Sequence, residues 1–249
     1  DGCLRVSKAS KALEMKSDPP KQKLPITYEI LTMFKRHITG SFEQLVLWAA
    51  VMVTFFGCMR AGEVVETSNN HKQHLCLRHL TFCLLDEHDC AIVFVSHSKT
   101  DSKNAGFHLY FSCTGTSVCA YCALVTMIRQ RAKLGLDMSD SSPLFMLATG
   151  ECLKKSVFVS FTKNMISRIG LNAEQFSGHS YRAGCATTAA LCGFSDHEIK
   201  LLGRWSSSAY QRYIRAPKTL LASFAGRLVK QPVSVDTRVH SYCKNLFTG

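Results

Sequence analysis

The chain has 249 residues, 46% hydrophobic and 19% charged, a composition that suits a soluble globular protein large enough to bury a full core. Lys and Arg number 30 against 18 Asp and Glu, and the formal charge of +12 favours polyanionic partners such as DNA or RNA. Twelve cysteines do not argue for a disulfide framework, because the chain is long, shows no secretory segment and sets several of them in apolar runs such as Phe82-Cys83-Leu84, so reduced thiols are expected. The longest uncharged run, Leu45 to Met59, falls short of the roughly 20 residues that a membrane helix needs, so it is expected as a buried core helix and no membrane partner is expected.

Residues 1 to 25 carry Lys8, Lys11, Lys16, Lys21 and Lys23 around Pro19-Pro20 and read as a basic linker. Thr27 caps an expected helix from Tyr28 to Arg36, and Ser41 with Gln44 forms a capping box for an apolar helix ending near Gly57. Arg60 follows, with Glu63 three residues on. The period then changes. Leu75, Leu77 and Phe82 to Leu85, then Cys90 to Ser96, then Phe107 to Ser112, predict three antiparallel strands, with Lys99 and Lys103 on the turn between the second and third.

Helices are expected again from Val118 to Leu134 and from Ser156 to Ile169, each stopped by a glycine. Their cations Arg129, Arg131, Lys133, Lys154, Lys155 and Lys163 are candidates to line a nucleic-acid groove, although a solvated helix face is the plainer account for most of them. The one CxxC, Cys119-Ala120-Tyr121-Cys122, falls inside the first of these helices with no second CxxC behind it. Only His108 and Cys113 lie near enough in sequence to join it, so no metal is expected. No Gly-rich phosphate loop or Walker-type lysine is present, so ATP is not implied and no cofactor is expected.

The stretch from Gly178 to Arg215 carries most of the chemistry. A helix from His179 to Cys192 is closed by Gly193, Ser195 and Glu198 form a capping box for a second helix to about Gly203, and Ser206 to Ser208 cap a short third one over Ala209 to Ile214. Leu220, Leu221, Phe224 and Leu228 suggest one more helix in the tail. His179 and Arg182, three apart, leave one helix face and suit a single anionic group. Arg supplies a permanently charged fork of donors, and His exchanges a proton near neutrality. Taken alone, such a pair is more often a solvated surface.

The pair does not stand alone. His179-Ser180-Tyr181-Arg182, Gly203-Arg204-Trp205 and Tyr213-Ile214-Arg215 resemble the HxxR, His/Trp and nucleophilic Tyr series of tyrosine recombinases. The wording GRWSSSAYQRYIR is similar to the recombinases of eukaryotic mobile elements, the DIRS-like and Ngaro-like retrotransposons and the Crypton transposons. Phe56 to Glu63 resembles the family's first catalytic arginine segment, and Lys99 its hairpin lysine, with Lys103 as the fallback. The resemblance covers about residues 25 to 216 and implies an α+β fold, a mainly helical catalytic domain over 26–216 with a small three-stranded antiparallel sheet. It also implies that 1–25 is a linker from a missing N-terminal core-binding domain and that 217–249 is a tail whose helix docks on a neighbouring protomer or packs in cis.

The same resemblance assigns roles. Tyr213 is the nucleophile that forms a 3′-phosphotyrosine link, Arg60 and Arg182 bind the non-bridging oxygens, and Trp205 donates its indole N–H to the phosphate. His179 is the general acid/base or a charge stabiliser, Lys99 protonates the leaving oxygen, and Glu63 holds Arg60 or His179. Tyr210 is the rival nucleophile, but it lies five residues after Trp205, whereas Tyr213 lies eight, nearer the family's spacing. Double-stranded DNA is the implied partner, with a tetramer on DNA, a nuclear location and no small-molecule substrate. Three alternatives compete: an inactive DNA-binding module derived from a mobile-element recombinase, a topoisomerase-like strand-passing enzyme and a zinc-dependent interaction protein.

Overall fold

The 15-residue helix Phe42–Phe56 (α2) is apolar on all sides, and eleven of its residues are buried, so it runs through the middle of the core. Thr54, its one buried hydroxyl, donates back to the carbonyl of Ala50 at 2.6 Å. The structure, a computed structural model, describes residues 23–67, 74–96 and 105–214. Among these are seven α-helices, three short 3₁₀ turns and one sheet. Lys99, Lys103, the segment 1–22 and the expected tail helix lie outside the described residues.

Residues 23 to 25, expected as linker, are docked instead. Lys23 donates to the carbonyl of Glu174 at 2.6 Å, and the N–H of Leu24 to that of Gln175 at 2.7 Å. The N–H of Ile26 bonds to the carbonyl of Ser180 at 2.9 Å. Gly184 makes this approach possible, because a Cβ there would run into the backbone of Ile26. Helix α1 (Tyr28–Lys35) follows, burying Leu31 and Phe34. Thr27 stands at its N-cap position but makes no side-chain cap bond. Ser41 likewise caps α2 by position alone. The expected capping box is not formed, since Gln44 Oε1 accepts from the N–H of Thr39 and so braces the turn before the helix.

The sheet has the expected antiparallel strands β1 (Leu80–Leu85), β2 (His88–Val95) and β3 (Phe107–Ser112) in the order β1-β2-β3. Leu85 pairs with His88 across a two-residue turn, Asp86-Glu87, in which both residues have positive φ, as a tight hairpin requires. Along β3 the buried Leu109 and Phe111 alternate with exposed His108, Tyr110 and Ser112, which turns one face to the core. Leu75 and Leu77, read as strand, precede β1. Leu75 is buried in the core and Leu77 opens a 3₁₀ turn, because the chain here pairs with the loop around Pro143 through Cys76.

Short helix α3 (Ala61–Val64) precedes the sheet, and α4 (Ala120–Lys133), α5 (Lys155–Arg168), α6 (Ser180–Leu191) and α7 (Asp196–Gly203) follow it. Helices α4 and α6 both pack on α2. The Ser195–Glu198 capping box at α7 is formed as expected, with the Glu198 carboxylate accepting from the N–H of Ser195 at 2.7 Å. Arg131 departs from its sequence reading. It is fully buried, donating to the carbonyls of Asp137 and Pro143 and to Ser142 Oγ, and so ties the end of α4 to the 137–144 loop instead of lining a groove. Lys163 is occupied by an ion pair with Glu174 at 2.7 Å.

Candidate active site

The end of α2 and the start of α6 meet beneath the end of α7. After Gly57 the chain turns through Cys58, whose φ of 48° is left-handed, and the Cys58 carbonyl faces Arg182. Arg60 sits at the N-cap position of α3. The Glu63 carboxylate accepts from the Arg60 N–H at 2.8 Å and from its guanidinium at 3.0 Å, which aims the arginine. Of the two roles left open for Glu63, these contacts serve the holding of Arg60, and its charge also acts on His179.

His179 is the N-cap of α6 rather than its first helical residue, and its N–H donates to Ser177 Oγ at 3.3 Å. Burial lowers its pKa below the ordinary imidazole value, and the nearby charges of Lys155, Arg60 and Arg182 lower it further against a small opposing effect of Glu63. Burial and three neighbouring cations thus favour the neutral form of this imidazole. Lys155, read from the sequence only as a candidate groove residue, belongs to this cluster because α5 begins beside the N-terminus of α6.

Arg182, one turn into α6, is 3% exposed. It donates to the carbonyl of Cys58 and, at 2.9 Å, to that of Gly203, while its Nε–H is buried with no hydrogen-bond partner among the described residues. Trp205 lies over its guanidinium, with the ring centre 4.3 Å from Cζ, and the Tyr213 ring centre is 5.7 Å away. The two rings are themselves 5.6 Å apart.

How Trp205 reaches that place is a local matter. Helix α7 ends at Gly203, and the left-handed residue that closes it is Arg204, φ 55°, not the glycine. That conformation costs about 1 kcal/mol for a non-glycine residue. Arg204 offsets this by donating to the carbonyl of Gly57 at 2.9 Å and lying over the Phe107 ring at 4.3 Å, which fastens the end of α7 to the end of α2. Gly203 is needed for a different reason, since a Cβ there would occupy the space of the Trp205 ring. Arg204 is the residue that sequence reasoning missed, though it stood between the two flagged positions Gly203 and Trp205.

The expected helix over Ala209 to Ile214 is a 3₁₀ turn, Ser208–Arg212, capped by Ser207, with Tyr213 at its end. Thr187 Oγ1 of α6 donates to the Tyr213 carbonyl at 3.2 Å and fixes the turn to the helix that carries Arg182. Tyr213 is half-buried, whereas Tyr210 is 1% exposed, and its hydroxyl donates to the Asp196 carboxylate, which with burial pushes its pKa up. Tyr210 is therefore a buried phenol committed to Asp196, and Tyr213 is the more exposed of the two. The structure brings together Arg60, Glu63, His179, Arg182, Trp205 and Tyr213; Lys99 lies outside the described residues.

No protein-family model matches the chain, and no curated protein sequence matches it. Solved structures do. XerH site-specific recombinase, bound to a palindromic difH substrate in a post-cleavage complex, superposes with a TM-score of 0.58 at 18% identity, over 82% of this chain and 53% of XerH. XerA recombinase superposes at 0.57 and 15% identity, over 89% of this chain and 71% of XerA. The chain has the fold of a tyrosine recombinase catalytic domain. The Tn1549 transposon integrase in complex with transposon right end DNA superposes too, at 0.51 and 14% identity, over 88% of this chain and 70% of the integrase. The chain spans about half the length of XerH, so the likeness is to the part of a recombinase that has this fold. Among the described residues no helix is long and apolar enough to cross a membrane.

Proposed function

We propose that the chain is the catalytic domain of a site-specific DNA recombinase or integrase that cleaves and rejoins DNA through Tyr213. The observation that carries the proposal is the grouping at Arg182: a buried guanidinium with one N–H unpartnered among the described residues, and beside it an indole and a half-buried phenol. An unmet buried donor costs about 1–3 kcal/mol, and an anionic phosphate oxygen is the partner that best offsets it.

In this reading Arg60 and Arg182 bind the non-bridging oxygens of the scissile phosphodiester, and Trp205 adds its indole N–H. The Tyr213 oxygen attacks phosphorus, its proton passing to the neutral imidazole of His179. The bond from phosphorus to the 5′ oxygen breaks, and Lys99 protonates that oxygen, leaving a 3′-phosphotyrosine link and a free 5′ hydroxyl. Attack by the 5′ hydroxyl of another strand reverses the steps and rejoins the DNA. The covalent link conserves the bond energy, so ATP has no part in this sequence of steps. The substrate is double-stranded DNA, which the excess of cations also favours. The likeness of GRWSSSAYQRYIR to mobile-element recombinases makes a transposable element of the DIRS-like or Crypton kind the source, the nucleus the place of action and a tetramer on DNA the working assembly.

The test is incubation with nicked suicide duplexes followed by denaturing electrophoresis. A protein–DNA band that survives denaturant, and is lost in Arg182→Ala, is the expected result. Retarded but never covalent DNA would overturn the enzymatic reading in favour of a DNA-binding module, and relaxation of supercoiled plasmid without strand exchange would favour a topoisomerase.

A further inference from the structure

A second cluster of reactive side chains lies away from this site, where β3 passes into α4. Cys113 follows the last residue of β3, Cys119 is the N-cap of α4, and Cys122 lies on its first turn. The three sulfur atoms are all within 4.8 Å of one another, and those of Cys113 and Cys122 are 3.6 Å apart. The sequence places the CxxC inside an expected helix, where it was discounted. Because α4 starts at Ala120, the pair straddles the helix start, and the strand end delivers the third thiol to it.

We propose that Cys113, Cys119 and Cys122 form a zinc-binding site in which three thiolates hold the ion and water fills the fourth position. Zinc–sulfur bonds of about 2.3 Å in a tetrahedron put neighbouring sulfurs about 3.8 Å apart, so these side chains need to move by less than about 1 Å. Each thiol gives up its proton to solvent as its sulfur bonds to zinc, and no redox change is involved.

The surroundings suit this ligand set. The Cys119 sulfur accepts hydrogen bonds from the backbone N–H groups of Thr114 and Cys122, both at 3.4 Å, an outer shell that orients a sulfur and favours its thiolate. The Cys113 N–H is fixed to the carbonyl of Asp89 on β2 at 2.8 Å, and Cys119 lies between the buried Val118 and Ala120. The ligands therefore stand on anchored backbone. Cys113 and Cys122 are open to solvent, which gives the ion an entry. His108, the other residue considered from sequence, is not part of the cluster: its ring stacks on Phe94 at 4.9 Å on the sheet. Zinc here would clamp the edge strand β3 to the start of α4, remote in role from the phosphate chemistry.

The test uses the whole chain, purified under reducing conditions without chelator and loaded with Zn²⁺ alone. Elemental analysis is expected to give one zinc per chain for the unaltered protein and for Cys192→Ser, an exposed cysteine outside the cluster. Less than a tenth of that is expected for Cys113→Ser and for Cys122→Ser, each with an unchanged circular dichroism spectrum. Replacement by Co²⁺ should give a thiolate-to-cobalt charge-transfer band together with the intense visible bands of a four-coordinate ion. Reduced, folded protein that takes up no zinc would overturn the proposal. So would zinc retained by Cys113→Ser, or a chain two hydrogens lighter with a Cys113–Cys122 disulfide that forms in preference to metal binding.

Discussion

Gly203→Ala offers a test in which local and tertiary reasoning give opposite signs. Gly203 is the last residue of α7 and its φ is not left-handed, so helix propensity alone says that alanine should stabilise the chain by up to about 1 kcal/mol. The tertiary structure says otherwise. The new Cβ would fall far inside the 3.0 Å that real Cβ atoms keep from ring carbons, against three atoms of the Trp205 ring. Restoring ordinary carbon–carbon separations requires the indole to retreat by about 2 Å. A displacement of that size disturbs the contact of the indole with the Arg182 guanidinium, now 4.3 Å from ring centre to Cζ. Loss of that contact costs about 0.5–2 kcal/mol and the overpacking about 1–3, so a net destabilisation of about 0.5–4 kcal/mol remains after the full propensity gain. For a chain of this size each 1 kcal/mol lowers Tm by about 2–4 °C. Thermal unfolding should therefore show Tm lower by roughly 1–16 °C. Emission of Trp205, read with Trp48→Phe as background, should shift to the red. An unchanged or higher Tm with unchanged emission would refute the reasoning.

Arg131→Ala removes a fully buried guanidinium and leaves the carbonyls of Asp137 and Pro143 without their donor, so a loss of about 3–5 kcal/mol is expected in chemical denaturation, with Arg131→Lys in between. A loss below about 1 kcal/mol would contradict that role. Lys155→Gln should raise the pKa of His179 toward its ordinary value, read by NMR of the imidazole, most clearly at low salt. Because folding lowers the pKa of His179, the unfolded chain binds more protons near pH 6. The stability linked to this group is full above about pH 6.5 and falls as pH drops from there toward the folded value. A melting profile that rises on acidification through this window in the unaltered protein, and not in His179→Gln, would count against the assignment. Tyr210→Phe should keep the capacity for a covalent DNA adduct, since Tyr210 is 1% exposed and committed to Asp196; loss of adduct in a folded Tyr210→Phe protein would contradict the choice of Tyr213.

Much of the fold was legible because it rests on short-range signals. The Ser195–Glu198 box, the unbroken apolar run of α2 and the alternation along β3 each act within a few residues, and each element appears where those signals put it. The readings that failed depended on partners beyond the local pattern. Gln44 was assigned to Ser41 by spacing, but the N–H of Thr39 was the donor its side chain reached. Arg131 read as solvated because arginine usually is, and only the loop six to twelve residues on supplies the carbonyls that allow its burial. The site shows the same division. His179 and Arg182 share a helix and could be paired by counting, whereas Tyr213 is set against that helix by Thr187, 26 residues earlier, and Arg204 acts through the carbonyl of Gly57. Cys113 was a candidate by its closeness in sequence, but only the fold shows that the end of a strand brings it, and not His108, to the helix start.

Cleavage by Tyr213 can be tested with no assumption about the DNA site. The chain would be incubated with a pool of nicked duplexes of randomised sequence, washed in denaturant, and the retained species digested for peptide mapping and sequencing. The account predicts DNA joined through a 3′ phosphate to the peptide that contains Tyr213, and no retained DNA with Tyr213→Phe. Retention that persists in Tyr213→Phe, or linkage mapped to another residue, would contradict it.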